Sequence, residues 1–220
     1  MFELKLAEHD EGSSQVGGGA WLTSLALWPV EKESGQHLLP LLTIRQELFV
    51  IPTLPEGMAI TIFLPFSFGG KTFGSSAARR FAANDQSQFD ELLSAAAGAT
   101  ALLHQIGNAE VALPAGVPTL PKYRVVREPM NGETINEETR DEDNGAEISK
   151  LFGRPAWLQD PVRLRPKFSF CLQILESDLR EAHPLYDGIF RDGIGYFFIN
   201  LNCKKMKTGS EAGKFFVQFT

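Results

Sequence analysis

The sequence predicts an α+β fold dominated by antiparallel β-sheet, built from two similar strand units with one main helix packed on the sheet. The chain contains seventeen phenylalanines, and they fall in short runs with Ile, Leu and Val that are typical of packed strands. Its thirteen prolines and twenty glycines predict many turns. Apolar residues at helical spacing are sustained over only one stretch, which limits the expected helix content.

The first pair of strands is predicted at 38–50 and 59–66. Both stretches are dense in Leu, Ile, Val and Phe, and Pro55-Glu56-Gly57 lies between them. Proline and glycine in this arrangement are a turn signal between two strands. Two shorter strands are predicted at 110–113 and 123–127.

The main helix is predicted over residues 87–106. Apolar side chains follow helical spacing from Phe89 to Leu103, and Ser87 with Asp90 three residues later resembles a capping box. Gly107 provides the stop. His104 then falls at the edge of the apolar face of this helix, and we interpret it as a structural residue.

The last third of the chain predicts three more strands, at 167–175, 195–201 and 214–219. In the final strand Phe215, Val217 and Phe219 alternate with their neighbours, and this period of two predicts one inward-facing row. Cys171 and Cys203 lie in apolar runs without Cys-x-x-Cys spacing, so we expect both to be reduced core residues.

Residues 128–147 carry the excess negative charge of the chain. They hold eight carboxylates and one arginine, whereas the whole chain has a formal charge of −6. High charge and low hydrophobicity predict a mobile acidic loop or linker. It separates an N-terminal half, 1–127, from a C-terminal half, 148–220, and we expect the halves to share one compact domain. The residues predicted to form an acidic interaction loop are Glu137, Glu138, Asp141, Glu142 and Asp143.

Each half shows the same order of features, namely a tryptophan, a strand, a glycine turn and an aromatic strand. The run from Phe152 to Gln159, a strand that carries Gln173, and the turn Asp192-Gly193 before an aromatic strand resemble the carboxy-terminal pattern of the YwqG-like family of bacterial proteins. Phe152 and Arg191 stand where that pattern has glycine. The resemblance implies an α+β fold with an internally repeated sheet, and it implies no established activity.

Familiar cofactor and metal motifs are absent on close inspection. Residues 69–72 follow an apolar strand as a phosphate-binding loop does, but Pro65 occupies the position of the required first glycine. An EF-hand alignment on Gly145 puts Arg140 at the first ligand position, so a calcium loop is excluded. The four histidines lack metal-ligand spacing, and no Gly-x-Ser-x-Gly motif occurs. The sequence therefore predicts no metal, no cofactor and no catalytic set, which favours a non-enzymatic protein.

Charge and hydropathy also limit the location and the partners. The chain has no basic stripe that could neutralise several phosphates, so nucleic-acid binding is disfavoured. The first ten residues include Glu3, Lys5, Glu8 and Asp10, which does not match a secretory signal. No apolar run approaches the length of a membrane-spanning helix. We expect a cytoplasmic protein with no membrane contact.

Two classes of function stay open. The first is a non-enzymatic protein-binding module, such as an immunity or antitoxin-like protein, whose acidic loop covers the basic site of a partner protein. The second is a small-ligand sensor or enzyme that uses a cleft between the two halves. The residues predicted for a ligand or partner site are Trp157, Gln159, Asp160, Gln173 and Asp192. For the two glutamines the alternative is that they satisfy backbone groups at strand ends.

Overall fold

The computed structural model describes residues 1–8, 12–50, 53–95, 98–164 and 166–220. The strands are Phe2–Glu8 (β1), Gln15–Val16 (β2), Leu39–Ile44 (β3), Met58–Leu64 (β4), Thr100–Gln105 (β5), Tyr123–Pro129 (β6), Lys150–Leu151 (β7), Phe168–Leu175 (β8), Ile194–Asn200 (β9) and Glu211–Gln218 (β10). The α-helices are Ser75–Arg79 (α1), Gln86–Ala95 (α2), Gly132–Arg140 (α3) and Glu176–Ala182 (α4). Short 3₁₀ turns occupy Leu25–Leu27, Gln46–Leu48, Pro184–Tyr186 and Cys203–Lys205.

The strands close an antiparallel barrel in the order β1-β6-β2-β3-β4-β5-β10-β9-β8-β7. The circle is completed by β7, which pairs with β1 through Phe2–Leu151 and Glu3–Lys150. The α+β prediction is therefore wrong, because the molecule is a β-barrel with a few short helices and no main helix packed on an open sheet.

The prediction of one continuous helix over 87–106 is the largest error of the sequence analysis. Helix α2 ends at Ala95, and the second part of the predicted helix is strand β5, which pairs with both β4 and β10. Gly98 lies between the two elements with a φ of +95°, a conformation that favours glycine. Residues 101–104 are all buried. A short strand that is buried on both faces lacks the alternation of apolar and polar residues that would distinguish it from a buried helix.

The segment 128–147 is not one loop, because a helix occupies part of it and only the residues after Arg140 form a loop. Glu128 lies in β6, and α3 follows after two residues. Asn131 caps α3, because its side-chain oxygen accepts the amide of Thr134 at 2.9 Å.

The other predicted strands are largely confirmed. β3 and β4 pair as a hairpin, and β6, β8, β9 and β10 lie within a few residues of their predicted positions. The strand predicted at 110–113 is reduced to one isolated bridge between Ala20 and Val111. Cys171 and Cys203 are free and buried, as expected.

Both halves of the chain contribute to the same barrel. The strands up to residue 129 lie side by side, and so do those after residue 149. They join at two places, where β10 pairs with β5 and where β1 pairs with β7.

Apolar side chains form two clusters, on opposite faces of the β9–β10 pair. The larger cluster fills the barrel and includes Phe197, Phe215 and Val217. The smaller cluster packs Phe216 against Phe89 of α2 and other residues on the outside. The predicted inward row of β10 is thus present, but helix α2 buries the opposite row as well.

Candidate functional site

Trp157 lies flat over the outer face of the barrel. Its ring stacks near those of Tyr196, Phe198 and Phe216, with centroid separations of 5.2, 6.1 and 6.4 Å. The indole therefore covers an aromatic layer of β9 and β10, which accounts for its position by packing.

The Gln173 side chain is fully buried, and all of its hydrogen-bonding groups face protein. Its oxygen accepts the amide of Ala156 at 2.8 Å, and its nitrogen donates to the carbonyls of Ala146 at 3.2 Å and Ile148 at 2.8 Å. The side chain ties strand β8 to two neighbouring segments. This geometry matches the structural interpretation of the glutamines, because no group of the amide is left for a ligand.

Gln159 and Asp160 connect the segment after Trp157 to the end of β10. The amide of Gln159 donates to the side-chain oxygen of Gln218 at 3.2 Å, and its side-chain nitrogen donates to the carbonyl of Phe219 at 3.3 Å. The carbonyl of Asp160 accepts the side-chain nitrogen of Gln218 at 2.8 Å. Asp160 itself is exposed to solvent.

Asp192 lies apart from that group. Its carboxylate pairs with the guanidinium of Arg180 at 2.5 Å on the surface, and no contact joins it to Trp157 or Gln173 in the described chain. Four of the five predicted residues thus lie in, or hydrogen-bond to, the segment that covers β8–β10. Asp192 lies outside this group.

Most acidic residues of 128–147 are exposed, and we call these exposed carboxylates, in and around α3, the α3 surface. Of the eight carboxylates only Glu138 is buried. In the described parts of the chain none of the other seven makes an ion pair. They are Glu128, Glu133, Glu137, Asp141, Glu142, Asp143 and Glu147.

Glu138 and Lys150 form an ion pair at 2.6 Å with 1% and 0% of their side chains exposed. The Glu138 carboxylate also accepts the amides of Ala146 at 2.7 Å and Arg154 at 2.5 Å, and Lys150 donates to the carbonyl of Ala146 at 2.8 Å. Burial lowers the pKa of Lys150, while the hydrogen bond to Glu138 opposes that shift. The pair is thus surrounded by groups that compensate its charges.

Glu138 is the one buried residue of helix α3. A helix that buries no apolar face gains little from packing, so the ion pair and the hydrogen bonds of Glu138 hold α3 against the barrel. The α3 surface therefore has a fixed position. Sequence reasoning missed this partner, although a lysine between Ile148 and Leu151 in an apolar stretch was a usable signal.

A second buried polar group, also missed from the sequence, runs across β3, β4 and β5. The hydroxyls of Thr43 and Thr61 are 3.0 Å apart, and Thr61 is 2.8 Å from Nε2 of His104. Nδ1 of His104 is 3.0 Å from the carbonyl of Gln105, so this nitrogen carries the proton and Nε2 accepts from Thr61. Burial lowers the pKa of His104. The expected structural role of this histidine fits these contacts, although the residue lies on a strand.

Arg45 is buried beside this group. Its guanidinium lies 5.0 Å from the ring centroid of Trp21, and Nη1 donates to the carbonyl of Gly12 at 3.1 Å. Nε and Nη2 have no acceptor among the described residues. Because Gly12 adjoins residues 9–11, which lie outside the described residues, we assign no site to Arg45.

Neither a metal centre nor a membrane span is found in the described ranges. No group of three or more His, Cys, Asp or Glu side chains is placed there to hold a metal ion. No helix in the same ranges has the length and apolar character needed to cross a membrane.

Comparisons with known protein families and with curated proteins find no match. No protein-family model matches the chain, and a search of curated proteins finds no similar sequence.

Proposed function

We propose that the protein is a non-enzymatic binding module that engages a basic partner protein through the α3 surface. The observation that carries this proposal is the set of seven exposed carboxylates that make no ion pair with the described residues, in and around a helix that Glu138 ties to Lys150. An immunity or antitoxin-like role in the bacterial cytoplasm is the concrete form of the proposal.

The charge of the α3 surface and its pre-formed structure both favour binding. A dense set of like charges accelerates the encounter with an oppositely charged protein and disfavours acidic partners. A pre-formed surface also avoids part of the entropy cost of ordering a loop on binding. A cluster of Lys and Arg, such as the nucleic-acid site of a toxin, has the complementary charge.

Other observations support the proposed setting. The two cysteines are free, which agrees with a reducing compartment such as the cytoplasm. Phe152 and Arg191 adopt φ values of 63° and 58°, and glycine is the residue that favours this conformation. Because the YwqG-like pattern has glycine at both positions, the backbone supports the proposed resemblance, which stays a prediction.

Co-purification from the source organism with a tagged chain tests the proposal. We would compare the wild type with a patch variant and with a control variant that removes the same charge elsewhere on the surface. The patch variant is Glu137→Gln, Glu142→Gln and Asp143→Asn, and the control is Glu33→Gln, Glu56→Gln and Glu181→Gln.

A basic partner should be retained by the wild type and by the control, and lost by the patch variant and at high salt, because exposed charges are screened. A partner that the patch variant retains fully would refute the assignment of the α3 surface. Recovery of no protein partner at low salt would refute the binding function itself.

A further inference from the structure

A surface groove of about 500 Å³ lies between the α1–α2 region and the end of β10. Arg79, Asn84 and Gln88 line it from the first half of the chain, and Arg191 and Phe219 line it from the second half. The groove is therefore formed only when both halves are folded together.

The two guanidinium groups of the groove lack anionic partners. Neither Arg79 nor Arg191 makes a side-chain hydrogen bond or an ion pair with the described residues. Arg191 instead lies over the ring of Phe219, with Cζ 4.3 Å from the centroid. Glu91 is the one carboxylate among the lining residues of the described chain, so positive charge prevails in a protein that is acidic overall.

The amide side chains in the groove also present donors. The side-chain oxygen of Asn84 accepts the amide of Phe219 at 3.4 Å, and that of Gln88 accepts the amide of Asn84 at 3.0 Å. Because each oxygen is engaged with the backbone, the NH₂ group of each side chain remains as the donor end. Neither NH₂ group has an acceptor in the described chain.

The backbone that carries Arg191 is held in an unfavourable conformation. Arg191 and Asp192 have φ values of 58° and 57°, a conformation that is unfavourable for a residue with a Cβ. The buried carboxylate of Glu176 holds this turn, since it accepts the amides of Gly188 at 2.8 Å and of Phe190. Strain of this kind is often found where a side chain must be positioned for function.

We propose that this groove binds a small organic anion, with its phosphate or carboxylate group at Arg79 and Arg191 and its apolar part against Ala82 and Leu92, which also line the groove. Guanidinium groups bind the oxygens of either anion in a bidentate manner. Ala82 and Leu92 are half-buried in the groove and offer an apolar surface for the rest of the ligand. This site is separate from the α3 surface and would operate whether or not a partner protein is bound there.

Isothermal titration of the full chain with phenyl phosphate, benzoate and inorganic phosphate tests the site. One of the two aromatic anions should bind saturably with one-to-one stoichiometry, and inorganic phosphate should bind more weakly because it lacks the apolar part. Arg191→Gln and Arg79→Gln should each weaken binding about tenfold or more, as expected for the loss of a charge-assisted hydrogen bond.

Arg140→Gln is the matched control, since it removes an exposed arginine of α3 and should leave binding unchanged. Tighter binding of phenyl phosphate would assign a phosphate ligand, and tighter binding of benzoate a carboxylate ligand. Arg79 lies at the end of α1 and is exposed, so its variant tests the site even if Arg191→Gln disturbs the strained turn. Absence of saturable binding of both aromatic anions, or binding unaffected by both arginine variants, would overturn the proposal.

Discussion

Glu138 and Lys150 are two charged residues that the fold removes almost completely from water. Transfer of two ions into a protein interior is costly, and a buried pair often adds no net stability over apolar residues. What the pair does provide here is a single defined position for α3, because the helix buries no other residue. At the residue scale, the account therefore predicts strong coupling between these two side chains.

Glu138→Gln and Lys150→Met should each lower the free energy of unfolding by about 3–5 kcal/mol, because each leaves the other charge buried and unpaired. The double variant should lose much less than the sum of the single losses. Urea unfolding of the four proteins measures this coupling as a double-mutant cycle. Additive losses would show that the two charges do not depend on one another.

The buried carboxyl of Glu176 should make the stability of the protein depend on pH. Burial raises the pKa of its carboxyl above the ordinary value of 4.5, while the amides of Phe190, Gly188 and Asp192 oppose the shift. The folded protein then binds more protons than the unfolded chain between the two pKa values. The stabilisation from this group is full below pH 4.5 and is lost as pH rises through the raised pKa.

The wild type should consequently lose stability relative to Glu176→Gln as pH rises across that window, because glutamine does not titrate. Chemical unfolding of both proteins at a series of pH values gives the difference. A constant difference over the whole range, or one that grows in favour of the wild type with rising pH, would contradict the assignment.

At the scale of single elements, α3 is a helix that depends on its cap and on one ion pair. Its capping bond from Thr134 to Asn131 is 2.9 Å long, and loss of such a cap costs about 1 kcal/mol. Asn131→Ala should therefore accelerate amide hydrogen exchange within 132–140 and leave β8, β9 and β10 unchanged. Asn131→Asp is the control, since aspartate also caps helices. Equal acceleration throughout the barrel would show that α3 does not open separately.

Sequence patterns predicted elements well where short runs rich in Ile, Val and Phe were bounded by turn residues. The β3–β4 hairpin and the three C-terminal strands are of this kind. The patterns failed at β5, whose buried residues on both faces matched the spacing of a helix. They also failed at α3, because composition alone does not reveal that a buried lysine twelve residues away anchors an acidic helix.

At the scale of the whole molecule, closure of the barrel makes the two halves interdependent. Neither half has all of its strand partners without the β5–β10 and β1–β7 pairings. The candidate groove depends on barrel closure in the same way, since Arg79 and Arg191 come from different halves and line one groove. No sequence spacing could have predicted their proximity, whereas the acidic character of 128–147 was evident from composition.

The protein should consequently unfold as one cooperative unit. Trp28 is buried in the first half and Trp157 lies in the second, so each can report on its own half. In variants that retain only one of the three tryptophans of the chain, either Trp28 or Trp157, the unfolding midpoint by fluorescence should coincide with that by far-ultraviolet circular dichroism. Separate fluorescence and circular-dichroism midpoints would show that the halves unfold independently.

The central claim is that a fixed acidic helix forms the surface to which a basic partner binds. Hydrogen exchange of the free protein and of the complex obtained by co-purification tests this claim most directly. The account predicts that the partner protects residues 132–143 and leaves the groove at Arg79 and Arg191 unchanged. Protection confined to any other part of the barrel, with 132–143 exchanging as in the free protein, would contradict it.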